Sequence, residues 1–203
     1  MKLKRIMAFF VDMIIVYFLA NFIFMLFFKN DYEKFIKSSD EYIVVLKETI
    51  NQTKKGDNEK EILEKTNKLN YNYLKSSSTE TIIVLSVEIL YFIFGQYFNK
   101  GQTIGKKLMK IKIKQIDSDK LNAGLFVLRE SILFVIPIQI INIIGLMTTG
   151  MNTYLKINSI TSNLQTLTMA AIVAFILFRS DGKGLHELAS KTEVVLINQK
   201  EEN

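Results

Sequence analysis

Four runs of apolar residues, each close to bilayer length, constrain this chain more than any other feature. They cover about 6–28, 79–98, 132–150 and 160–178. A helix rises about 1.5 Å per residue, so roughly 20 residues cross the hydrocarbon core. The first run is the clearest. The fourth is the most polar, with Thr161, Ser162, Asn163, Gln165 and Thr166 in its first half. Overall the chain is 49% hydrophobic, but charged residues fill the gaps between runs, not the runs themselves. A soluble helical bundle is the alternative, and the uniformly apolar first and second runs argue against it. The expectation is an all-α membrane protein, one domain over 1–203. It has four transmembrane helices, a helical insertion at 29–78 and a small two-stranded β element. The first run follows a basic start like a signal peptide, yet it is longer than the usual apolar region and carries Asp12. A retained anchor is expected.

Charge sets the expected orientation. Lys2, Lys4 and Arg5 precede the first run, and Lys100, Lys106, Lys107, Lys110, Lys112, Lys114, Lys120 and Arg129 lie between the second and third. Arg179, Lys183 and Lys191 follow the fourth. The positive-inside bias makes these segments cytoplasmic, with both termini inside a cell membrane. The 29–80 segment holds ten lysines and ten acidic residues. It is nearly neutral and is placed outside. The net charge of +6 is therefore read as topology and contact with the lipid bilayer, not as nucleic-acid binding.

Between the runs, Ile36, Ile43, Leu46 and Ile50, then Ile62, Leu63, Leu69 and Tyr73, recur at helical spacing. They predict a helical hairpin that breaks at 54–57, either solvated or a docking surface for a partner. Ser77-Ser-Thr-Glu80 predicts a capping box at the start of the second span. The inner loop opens "GQTIGKKLMKIKIKQ". Only three residues separate Gly101 from Gly105, and Lys107 stands where a P-loop needs Ser or Thr, so nucleotide binding is rejected. Alternation through Lys110–Ile116 predicts a strand, and the β-branched run at 192–197 is its expected partner.

Two acidic residues lie within the apolar runs. Asp12 is about two turns, or ~9 Å, into the first. Glu88 is central in the second, where a charge costs on the order of 2.5–3.5 kcal/mol. Gln139 with Asn142, and Thr161 with Gln165 and Thr168, add one polar stripe to each later run. These stripes read as glue between helices. Glu88 and Asp12 read as titrating sites for a monovalent cation or proton, since amides already supply glue without an ionisation cost. There is no cysteine and one histidine, His186. That excludes disulfides and a multi-His metal centre, and no cofactor is expected. His186 is expected to sense cytoplasmic pH or to bond locally. No nucleophile–base arrangement has credible spacing, so no enzyme is expected.

The pieces together resemble the RDD family of bacterial membrane proteins. Arg5 and Asp12 in "RIMAFFVDMIIVYF" match its arginine and first aspartate. "GQTIGKKLMKIKI" is similar to its Gly-Gln-Thr-x-Gly-Lys loop, which carries over to Gly101, Gln102, Thr103, Gly105 and Lys106. Arg129 resembles an arginine entering the third helix, and "GLHELASKTEVV" its closing motif, with His186. Glu187 stands at the second aspartate, a departure that moves the carboxylate by one methylene. The resemblance spans most of the chain, with 29–78 as an insertion. It implies a transport role, sodium/proton antiport being associated with some members. Asp12 is expected to face the bundle interior and to pair with Arg5 and the Arg129/His186/Glu187 region. The leading reading is a small monovalent cation/proton antiporter, expected to form a homo-oligomer because four helices are few for a conduit. The rival is a non-transporting scaffold or accessory subunit that binds a partner through the hairpin.

Overall fold

A computed structural model describes residues 1–55, 59–118 and 121–197. The chain is mostly helical. Its elements are α1 (Lys2–Phe27), α2 (Lys29–Lys55), α3 (Glu59–Ser76), α4 (Ser78–Phe98), α5 (Ile104–Leu108), β1 (Ile111–Gln115), α6 (Ala123–Leu133), α7 (Ile136–Thr148), α8 (Met151–Phe178), α9 (Leu185–Ser190) and β2 (Thr192–Leu196). Of the break expected at 54–57, Lys54 and Lys55 are still helical, and the other two residues lie outside the described residues.

Three helices, α1, α4 and α8, are long and apolar enough to cross a membrane. The third run is not one straight span. It is the pair α6 and α7, bent by 66°. Phe134 and Val135 form the break, and Val135 takes φ 54°, a strained conformation for a β-branched residue. Pro137 sits in the first turn of α7, where its missing N–H is tolerated. Thus α7 begins at Ile136, while the expected run began at 132. The fourth run is longer than expected, since α8 starts at Met151. Much apolar side-chain surface faces outward, including Ile14 at 69%, Phe18 at 68% and Leu167 at 69% exposure. Water would not tolerate so large an apolar patch, whereas lipid does.

The described residues form two compact units. The first comprises Met1–Leu19, Val84–Gln139 and Asn163–Asn203 as far as described, and the second Ala20–Ile83 and Ile140–Ser162. In the first, β1 and β2 pair antiparallel, Ile113 opposite Val194 and Gln115 opposite Thr192. This is the expected pairing. Ile111, Ile113, Thr192 and Val194 point inward and are buried. Helix α6 packs against α9 and the second half of α4. That half is π-helical over Ile89–Gly95.

In the second unit, helical hydrogen bonds run unbroken from α1 into α2 through Phe28 (Phe28 N to Phe24 O, 3.0 Å; Tyr32 N to Phe28 O, 2.9 Å). They run likewise from α3 into α4 through Ser77 (Thr81 N to Ser77 O, 2.9 Å). The capping box expected at Ser77–Glu80 therefore does not form. Ser76, Ser77 and Ser78 instead donate to the carbonyls three residues back, a local alternative open to short hydroxyl side chains. An aromatic seam of Phe24, Tyr32, Phe35, Tyr42 and Tyr73 closes the base of the hairpin, with Tyr42 stacked on Tyr73 at 4.9 Å.

Candidate functional site

Asp12 is 1% exposed, and its carboxylate is held by three donors. Tyr91 Oη donates to Oδ1 at 2.6 Å, Gly105 N to Oδ1 at 2.7 Å and Thr103 Oγ1 to Oδ2 at 2.5 Å. Charge-assisted bonds of this kind offset the cost of burying a carboxylate. The loop after α4 is shaped to deliver them. Gly101 has φ +87°, and a Cβ there would lie 2.4 Å from Ile113 O. Gln102 Nε2 donates to Ile111 O at 3.1 Å, tying the loop to β1. Thr103 caps α5 by accepting from Lys106 N at 3.2 Å. A Cβ on Gly105 would lie 2.2 Å from Ala8 O, so only glycine lets the loop meet α1. Every residue of Gly-Gln-Thr-x-Gly-Lys thus has a structural task.

The expected pairing of Asp12 with arginine is corrected by this geometry. Arg5 lies about two turns before Asp12 on α1 and reaches elsewhere. Its guanidinium pairs with Glu187 and donates to Gly182 O at 2.8 Å. Glu187 is the third residue of α9, and its Oε2 also accepts from Gly184 N at 2.8 Å. The long glutamate chain suits this reach back across the first helical turn. Arg129 contacts Glu130 at 3.2 Å, approaches Glu187 at 3.8 Å and donates to Thr192 Oγ1 at 2.8 Å. Gln96 donates to Glu130 Oε1 at 3.1 Å and accepts from Lys106 Nζ at 2.9 Å. Arg129, Glu130, Glu187, Gln96 and His186 are all buried.

His186 is buried beside these charges. Burial, then the charges of Arg129, Arg5 and Lys106, push its pKa down to about 2, so it is neutral at physiological pH. Its ring fills the space that a Cβ on Gly184 would take, with Cε1 2.6 Å away. Among the described residues, Arg129 Nε, Glu130 Oε2, Glu187 Oε1 and His186 Nδ1 are buried with no hydrogen-bond partner.

Glu88 is set apart from this cluster by its surroundings. It is 5% exposed, and its Oε2 has no partner. Gln139 hydrogen-bonds its side chain and also donates to Phe134 O at 2.8 Å, at the helix break. Glu88 immediately precedes the π-helical stretch, and Gln139 lies in the first turn of α7. π-Helical stretches recur at functional sites, and the positive end of a helix favours an anion. A regular helix would put Tyr91 on the face of Glu88, but within the π-helical stretch it turns to Asp12 instead. Phe92, within the π stretch, packs on Phe134 at 4.5 Å.

In the remaining polar stripes the structure shows bonding both between helices and within a helix. In the second unit Thr161 Oγ1 lies 2.6 Å from Asn142 Oδ1. Thr168 bonds back to Leu164 O of its own helix. Glu130 and Gln96 escape a reading of the sequence alone. A second charge beside Arg129 in the apolar "LFVLRESILFV" is the signal that marks Glu130, whereas nothing in the sequence marks Gln96. Among the described residues no group of His, Asp and Glu is arranged to hold a metal ion.

The fold and the cluster define a membrane protein whose first helix is locked by buried charges to the loop after α4 and to a closing helix. A model of the RDD family matches residues 2–191, and the chain belongs to that family. No curated protein and no solved structure matches it.

Proposed function

We propose that this membrane protein is a small transporter that exchanges a monovalent cation for protons across the cell membrane, with Glu88 as the exchanging group. The observation that carries this reading is the free Oε2 of Glu88, buried in a span between a π-helical stretch and a broken helix. Discontinuous helices line ion sites in many transporters, because their free backbone ends and dipoles face the ion. Asp12 has both oxygens engaged, so it serves as the lock between α1 and the inner loop. The bent pair α6–α7 counts as one span, which gives four spans and both termini in the cytoplasm. A homo-oligomer completes the conduit, and no enzymatic chemistry is assigned. The test is proton movement in proteoliposomes under sodium, potassium or lithium gradients. Cation-driven flux is expected, and well-folded protein without flux under all three would overturn the reading.

One observation favours the rival scaffold. Ile36, Ile43, Val44 and Leu63 of the hairpin are 42–60% exposed, an apolar face suited to a partner. Co-purification of a stoichiometric partner that is lost when Ile36 and Ile43 become serine would support it.

A further inference from the structure

We propose that Lys106 is a second proton-binding site of this protein, placed inside the charge cluster and linked through Gln96 to the span that carries Glu88. The close approach of Gly105 to Ala8 and Asp12 brings the next residue, Lys106, to the interior. Its Nζ bonds to the neutral amide of Gln96 at 2.9 Å and lies 6.0 Å from the ring centre of Phe92. The charged groups around it are Glu130 and Arg129 of α6 and Asp12 and Arg5 of α1, and its own charge is felt by His186 of α9. Each nearby carboxylate has another partner on at least one oxygen, while among the described residues Glu130 Oε2 and Glu187 Oε1 accept no hydrogen bond. Asp12 has Tyr91, Thr103 and Gly105, Glu187 has Arg5 and Gly184, and Glu130 has Arg129 and Gln96. Among the described residues Lys106 makes no ion pair, so its part-buried ammonium rests against an amide. That is the weakest form of compensation in the cluster.

The electrostatics agree with the geometry. Burial lowers the Lys106 pKa to about 8, with Glu130 and Asp12 opposing and Arg129 and Arg5 assisting. Within the cluster Arg5, Lys106 and Arg129 balance Asp12, Glu130 and Glu187. At alkaline pH one N–H bond of the ammonium breaks, its electron pair stays on nitrogen and the proton leaves to water. The neutral amine is a weaker donor to Gln96. Gln96 Nε2 also donates to Phe92 O at 2.5 Å, within the π-helical stretch. Loss of the proton therefore loosens the group that pins this stretch. For its functional meaning the inference rests on the transport reading.

The test follows the titration of Lys106 itself. The full chain in lipid nanodiscs, labelled with lysine carrying 13C at Cε, is titrated by NMR, and Lys106→Arg identifies the resonance. A midpoint near 8, well below that of the exposed lysines, is expected. A midpoint among the exposed lysines overturns the proposal. In proteoliposomes, the wild-type exchange rate is expected to rise several-fold between pH 7 and pH 9, and Lys106→Arg is expected to abolish that rise. An unchanged rise in Lys106→Arg breaks the link to Glu88. Titration near 8 without any flux would sink the transport reading and leave the proton site standing.

Discussion

The unit that holds Arg5, Asp12 and Glu187 and the unit that holds the helical hairpin are both largely helical, yet different forces hold them. In the hairpin the backbone is regular and stacked aromatic rings seal the helices. Its ion pair Lys65–Glu48 is long, at 3.8 Å, with both side chains half exposed. In the charge cluster the helices are interrupted, glycines permit backbone contact, and buried ions are fixed by short bonds. Burying charge requires donors aimed from the backbone, and regular helices have none to spare away from their ends. The irregular π stretch, the α6–α7 break and the short helices α5 and α9 accompany the ions for this reason.

The contrast breaks most sharply at Gly105. Gly105→Ala puts a methyl group 2.2 Å from Ala8 O, against backbone that cannot give way. A loss of about 5 kcal/mol, seen as failure to recover monodisperse protein, is expected from such a clash. Asp12→Asn is next. Its amide NH2 must face a donor, which leaves one buried partner unsatisfied at a cost of about 3 kcal/mol. Thermal unfolding in detergent measures it, and an unchanged melting temperature would show that the three bonds to Asp12 hold nothing.

Lys106 sharpens the contrast through pH. Its folded pKa lies below its unfolded one, so between about 8 and 10.5 the unfolded chain binds more protons, and this group's contribution to stability rises with pH. Below that window the cost of burying the ammonium is constant. Wild type should therefore gain about 2 kcal/mol on Lys106→Arg, which stays charged, as pH rises through the window. A constant difference between the two melting curves would contradict it. At the small end, Lys65→Ala in the hairpin should change stability by less than about 0.5 kcal/mol. A larger loss would mean that the hairpin too depends on its ions.

Much of this was legible in the residues. The apolar runs mark the membrane helices, alternation marks β1, and its pairing with β2 follows from unmet backbone bonds. Arg5 and Asp12 stand out because charge beside or within an apolar run needs a partner, whereas Glu187 stands out only by its place in the family's closing motif. The partners themselves were not legible. Helical spacing says which residues share a face, so it pointed Arg5 at Asp12, while the loop glycines that bring Thr103 and Gly105 to Asp12 act across ~90 residues of sequence. A period of 3.6 also hides the π stretch after Glu88 and the break at Phe134–Val135, because both residue strings remain apolar. The serines at 76–78 look like a helix start, yet the same hydroxyls satisfy a helix that continues.

The central claim is that the two acidic residues of the spans do different work, Asp12 holding the fold and Glu88 exchanging ions. Cation-driven proton flux per folded molecule, compared between Glu88→Gln and Asp12→Asn in proteoliposomes, tests it directly. Glu88→Gln should melt like wild type and carry no flux, while the fraction of Asp12→Asn that folds should keep most of its flux. Flux retained by Glu88→Gln and lost by fully folded Asp12→Asn would reverse the assignment.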